Sequence, residues 1–404
     1  MEYQCTKTHR MGRAMRLIPI LMLVLWTNVP AAAEKSETQA FFQTDFQSES
    51  PAVEVVFVLD TTGSMGGLIA AAKEKIWSIA NTLASAEVAP AIKMGLVGYR
   101  DRGDAYVTTL TALSDDLDAV YTRLMEFQAG GGGDTPESVN QAIFEAVTKI
   151  TWSRAPATYR VIFLVGDAPP QMNYRNDINY AESCRLAAAH DIVINTIQCG
   201  NLAQTAPVWQ EIARRAGGEY FQVAQSGSAV LYDTPYDGEI AGLSAKLDAT
   251  RLYYGAPGER AKMTAREADA RKIYTEAALS AQAKRTVFNS KKAGSKNFLG
   301  HQELVNDVAS GKVQIEALDE AELPEELQGR STAEISARLR ELADQRRQLQ
   351  ARINDLGKKR QVFIKDLVQK ESDKGVNSLD AKIYRCIQNQ AAGKNLEYAG
   401  GPEY

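Results

Sequence analysis

Val55-Val56-Phe57-Val58-Leu59-Asp60-Thr61-Thr62-Gly63-Ser64-Met65 decides the fold of this chain. Five apolar residues, four of them β-branched or aromatic, are the pattern of a strand covered on both faces, as strands of a parallel sheet are. The run then stops at a carboxylate, followed by hydroxyls at alternate positions and a glycine. If the turn curls over the strand end, Asp60, Thr62 and Ser64 present three oxygens at the sheet rim. Hard cations such as Mg²⁺ take oxygen ligands and let water complete the shell. The competing reading is that these side chains only cap the following helix.

Outward from this run, strand and helix patterns alternate. Strands are expected at 53–59, 92–98, 159–165, 192–197 and 220–223, with a short antiparallel one at 107–110. Helices are expected at 68–85, 115–127, 136–152, 176–190, 207–216 and 238–254. That order predicts an α/β fold with a doubly wound, mainly parallel sheet over residues 51–255. Such sheets bind ligands outside the carboxyl ends of their strands, at the switch point. Two more oxygen donors stand where that geometry would present them. Thr135 follows the glycine-rich loop 129–134, and Asp167 directly follows the strand 159–165.

These residues carry a resemblance. The chain resembles the von Willebrand factor A domain with a metal-ion-dependent adhesion site, of the bacterial exported type. The family pattern is Asp-x-Ser/Thr-x-Ser after the first strand, a threonine in a second loop and an aspartate after the fourth strand. Asp60, Thr62, Ser64, Thr135 and Asp167 answer it in order. The resemblance implies a bound Mg²⁺ or Mn²⁺, with Ca²⁺ ranked behind them. One coordination position stays open for a Glu or Asp carboxylate of a protein partner. Asp101 and Asp134 are expected to stand behind the ligands. The implied role is protein binding, not catalysis.

Composition frames this reading. The 404 residues are 45% hydrophobic and 24% charged, an ordinary globular balance. A formal net charge of −4 gives no electrostatic case for nucleic acid. Lys7, Arg10, Arg13 and Arg16 precede the apolar run 17–26, and Ala31-Ala32-Ala33 supplies small residues for cleavage. Residues 1–33 therefore read as a signal peptide, with export to the periplasm or beyond and no stable membrane span after cleavage. A retained anchor is the alternative, although the run is shorter than the ~20 residues of a spanning helix. Residues 34–50 read as a polar linker. Cys184 and Cys199, on a helix and the following strand, are expected to be buried thiols and not a bridge.

Beyond residue 255 the pattern changes. Residues 256–330 read as helix and loop, with loops near 290–300 and one β-type run at Val313-Gln314-Ile315. Residues 331–404 read as helical. Ser331 and Glu334 have capping-box spacing. Ile335, Leu339, Leu342, Arg346, Leu349, Ile353, Leu356, Arg360, Phe363 and Leu367 then step by four and three, a coiled-coil seam. It could pack on its own chain or self-associate through 331–372.

Other motifs carry less. Arg102-Gly103-Asp104 spells an integrin-recognition tripeptide, for which chance or a structural role is the better account. The glycine loop lacks the Gly-Lys-Ser/Thr of a phosphate loop. No nucleophile elbow, Cys/His pair or zinc helix is present. A metal-dependent hydrolase remains the enzymatic alternative, with only Asp101, Asp104 or Asp134 as a base. A structural envelope protein oligomerising through its helical tail is the third reading.

Overall fold

β1 (Ala52–Asp60) is buried at every position but its first, because it is the inner strand on which the fold is assembled. It pairs in parallel with β2 (Ala91–Tyr99) on one side and β4 (Thr158–Gly166) on the other. β3 (Thr108–Ser114) closes one edge antiparallel to β2. β5 (Ile192–Cys199) and β6 (Tyr220–Val223) extend the other edge in parallel. The order β3-β2-β1-β4-β5-β6 confirms the doubly wound α/β sheet. A computed structural model describes residues 51–133, 135–224, 232–370 and 379–403. The expected signal segment, the linker 34–50 and Asp134 lie outside the described residues.

Alternation along β1 feeds two cores. Val53, Val55, Phe57 and Leu59 face α1 (Gly66–Leu83) and α2 (Leu117–Glu126). Val56 and Val58 face α3 (Val139–Thr148), α4 (Tyr180–Ala189) and α5 (Thr205–Arg215). With both faces covered, the apolar run has no polar face to show. The two cores also explain the cysteines. Cys184 belongs to one and Cys199 to the other, so the sheet separates them, and Cys184, Cys199 and Cys386 are all buried free thiols.

The later helices complete the first face. Residues 49–404 form one compact unit. α6 (Asp237–Asp248), α7 (Pro257–Glu276) and α8 (Leu279–Ser290) are followed by two short helices, α9 (Ser295–Leu299) and α10 (Leu304–Ala309). The long helix α11 (Thr332–Lys370) and then α12 (Leu379–Ala391) end the described chain's helical part. Phe288 of α8 and Ile383 and Ile387 of α12 enter the same core as Trp77 of α1. On α12, Asp380 pairs with buried Lys75 at 2.6 Å. Farther along it, Gln390 accepts from Tyr159 Oη at 2.7 Å and donates to Asn195 Oδ1 at 2.8 Å. The chain's last helix thus clasps β4 and β5.

The α11 seam packs on its own chain. Ile335, Leu339 and Leu342 sit with Leu304 and Leu327, and Ile353 and Leu356 with Ile240 and Phe298. Its two charged positions are satisfied internally. Arg346 grips Glu303 through two bonds of 2.9 and 3.0 Å, and Arg360 Nε donates to Asp237 at 2.7 Å. Gly357 serves this packing, since a Cβ there would lie 3.0 Å from Val287 of α8. Ser331 and Glu334 do form the reciprocal cap.

Three expectations need correction. The helix expected from 136 begins at Val139, because Glu137 is held extended against Pro170. Val313-Gln314-Ile315 forms no strand; Ile315–Ala317 is a 3₁₀ turn whose apolar side chain fills the α10–α11 core. Residues 295–299 are helical, not loop. Local propensity yields in each case to tertiary contacts.

Candidate metal centre

The switch point of the sheet lies between β1 and β4, since the chain leaves β1 towards β2 on one side and β4 on the other. Both strands end here, in Asp60 and in Gly166 before Asp167. The turn after Asp60 is locked by backbone. Thr61 N donates to the Tyr99 carbonyl at 2.9 Å, and a 3₁₀ turn, Gly63–Met65, leads into α1. The glycine loop is pinned over that turn by Gly63 N to Gly131 O and Gly130 N to Thr61 O, each 3.1 Å. Gly131 has φ +75°, and a Cβ on it would strike the Asp104 carboxylate at 2.4 Å.

The three oxygens of the first motif converge. Asp60 Oδ1 accepts from Thr62 N at 2.9 Å and from Thr62 Oγ1 at 2.6 Å, and Thr62 Oγ1 lies 3.3 Å from Ser64 Oγ. Thr62, Ser64, Thr135 and Asp167 line one open cleft of about 520 Å³, with Asp60 beneath it. All five expected ligand residues therefore stand at one place. Helix capping does not explain them. Neither the 3₁₀ turn nor α1 has a side-chain cap, and the N-cap of α3 is Ser138, three residues past Thr135.

Asp60 is the anomaly of the site. It is fully buried, yet its Oδ2 has no hydrogen-bond partner, nor has the neighbouring hydroxyl of Tyr99. Burial pushes its pKa from 3.8 up to about 7, against the lowering effect of hydrogen bonds from Thr62 and from the Asp167 backbone and with help from the charge of Asp167. A buried carboxylate oxygen without a donor is costly, and a cation is the ligand class that satisfies it. No group of three or more His, Cys, Asp or Glu in metal-holding geometry occurs among the described residues. The donor set here is two carboxylates and three hydroxyls, which suits a hard cation and excludes the soft-metal chemistries.

The surrounding acids have other work. Asp101 accepts from Ser138 Oγ and Tyr174 Oη, both at 2.7 Å, and so ties the start of α3 to the loop after β4. Asp104 accepts from Gly132 N at 3.0 and 3.1 Å. Arg102 stacks on Tyr174 at 4.0 Å and donates to Asn176. The Arg-Gly-Asp tripeptide is thus engaged within its own rim.

One residue escaped the sequence reading. Glu137 lines the cleft, is 4% exposed and has Oε2 without a partner. Burial, followed by the charges of Asp60, Asp101, Asp104 and Asp167, raises its pKa to about 8. Its place after Asp-Thr-Pro suggested a helix first turn. Only the bridge to Pro170 turns its side chain to the cleft.

Comparison with known proteins agrees with the fold. Residues 54–234 match the family model described as von Willebrand factor A domain. Von Willebrand factor A domain-containing protein 7 of Rattus norvegicus is 38% identical over 94 residues, covering 23% of this chain and 10% of that protein. An ariadne-like RING finger protein of Acanthamoeba polyphaga mimivirus is 23% identical over 201 residues, 45% of this chain and 19% of that one. The chain thus spans only a small part of these relatives. Among solved structures, the SpRpn10 VWA domain aligns with TM-score 0.34 and 13% identity, over 43% of this chain and 89% of that one. Mussel proximal thread matrix protein 1, described with a zinc-occupied MIDAS motif, aligns with TM-score 0.35 and 14% identity, over 44% and 42%.

Proposed function

From the premise that this chain carries a von Willebrand factor A domain, we propose that it is an exported, non-enzymatic protein-binding module. Its cleft would hold Mg²⁺ or Mn²⁺ and dock a Glu or Asp carboxylate of a protein partner. The observation that carries this reading is the unpartnered, fully buried Oδ2 of Asp60 beneath a cleft lined with hydroxyls. When bound, the cation supplies a Lewis-acidic position for an external carboxylate oxygen. Asp60 and Asp167 supply charge. Thr62, Ser64 and Thr135 supply neutral oxygens, which leave the cation incompletely neutralised. Thr62 also fixes the Asp60 carboxylate through its two hydrogen bonds.

Binding over hydrolysis is supported by Asp101 and Asp104, two of the three expected bases, each being held by neighbours. Export rests on the pattern of residues 1–33 alone. Calorimetry with Mg²⁺ and Mn²⁺ should show binding that is lost in Asp60→Ala and Asp167→Ala. Equal binding by the variants would end the metal reading. Turnover of generic phosphoesters or peptides, abolished by Asp60→Ala, would replace docking with hydrolysis. Pull-down from an envelope extract with and without chelator identifies the partner.

A further inference from the structure

We infer that Glu137 is a third carboxylate of the cation site, one that the five-residue family pattern does not contain. The inference rests on reading the cleft as a cation site. The backbone of Glu137 is fully accounted for. Its N donates to Pro169 O at 3.0 Å, and its carbonyl accepts from Val139 N at 2.8 Å and Gln171 N at 2.7 Å. The side chain is what lacks an explanation. It is buried, lines the cleft and leaves Oε2 unpartnered. A Cβ on Gly132 would stand 3.5 Å from Glu137 Oε1 and 3.4 Å from Thr62 Cβ. The carboxylate and the ligand threonine therefore flank the same glycine.

Two buried carboxylate oxygens thus lack donors, Glu137 Oε2 in the lining of the cleft and Asp60 Oδ2 beneath it. Among the described residues no lysine or arginine lines that cleft to answer them. Asp101 and Asp104 do not compete, because Ser138, Tyr174 and Gly132 already serve them. A cation answers the charge of both, with Glu137 acting through water, since Asp60, Glu137 and Asp167 do not stand close enough to hold an ion as a directly ligating trio. Two carboxylates then face the cation and a third, Glu137, stands one water behind, where the family pattern has two in all. The added charge holds the cation more tightly and moderates its pull on an incoming carboxylate. It also favours a trivalent ion over a divalent one.

The test is calorimetry of the full chain with Mn²⁺ and with Tb³⁺ as a trivalent probe. Wild type should bind both. Glu137→Gln should weaken Mn²⁺ by about tenfold or more, the usual effect of removing a supporting group at a metal site, and Tb³⁺ by a larger factor. The unfolding midpoint in chelator should stay at or above the wild-type value, since no hydrogen bond to Oε2 is lost. Glu137→Asp, which keeps the charge, should fall between the two and serves if the glutamine variant does not fold. Unchanged Mn²⁺ affinity in Glu137→Gln would overturn the inference alone. No cation binding by wild type would overturn the docking reading and this inference with it.

Discussion

Asp60→Asn in chelator should stabilise the protein, and the gain should grow with pH. The folded chain raises the Asp60 pKa from 3.8 to about 7, chiefly by burial. Below pH 3.8 the group is protonated in both folded and unfolded states, and the cost is nil. Between 3.8 and 7 the folded chain holds a proton that the unfolded chain has released, so stability falls as pH rises. Above 7 both states are ionised and the cost is constant. At 1.36 kcal/mol per pH unit this plateau is about 4 kcal/mol, and at pH 5 the cost is about 1.6 kcal/mol. Asparagine keeps an Oδ1 acceptor for Thr62 N and Oγ1 and carries no charge. It should recover much of that amount at pH 8 and little at pH 4. Urea unfolding across pH 4 to 8 in chelator measures it. Saturating Mn²⁺ should narrow or reverse the order, since a cation at 100 times its Kd stabilises wild type by about 2.7 kcal/mol and has lost its anchor in the variant. A variant less stable than wild type at pH 8 in chelator, or a gain indifferent to pH, would refute the reasoning.

Two further outcomes concern the helical part. Asp118→Ala strips the main partner from Arg285, paired at 1% exposure on both sides, and should cost about 3–5 kcal/mol in chemical denaturation; a loss under 1 kcal/mol would mean that Asp248 suffices. Burial lowers the pKa of Lys284 from 10.5 to about 7. Its cost is therefore complete below pH 7, about 5 kcal/mol at most, and fades as pH rises towards 10.5. Lys284→Met should stabilise at pH 6 and hardly at all at pH 10, and a gain of the same size at both would count against a buried charge.

The site was legible to the extent that its residues follow strand ends. Asp60 and Asp167 close apolar runs, and a doubly wound sheet puts such ends at one rim. Thr135 was legible through the glycine loop before it. Glu137 was not, because its exposure to the cleft follows from a backbone bridge to the loop after β4, a contact that no local pattern encodes. The seam of α11 was legible as a seam, but what it packs against was not. Its arginines at 346 and 360 look like interruptions until Glu303 and Asp237, 43 and 123 residues away, are brought beside them.

The sheet, its parallel sense and five oxygen donors at its carboxyl edge are written in the residue order, because burial on both faces is a local property of each strand. Three features arise only in the packed fold: which of those oxygens is left without a donor, the third acidic side chain that lines the same cleft, and the return of the last described helix to clasp β4 and β5. Those are properties of pairs distant in the chain. Desolvation and charge coupling take their values only when such pairs meet.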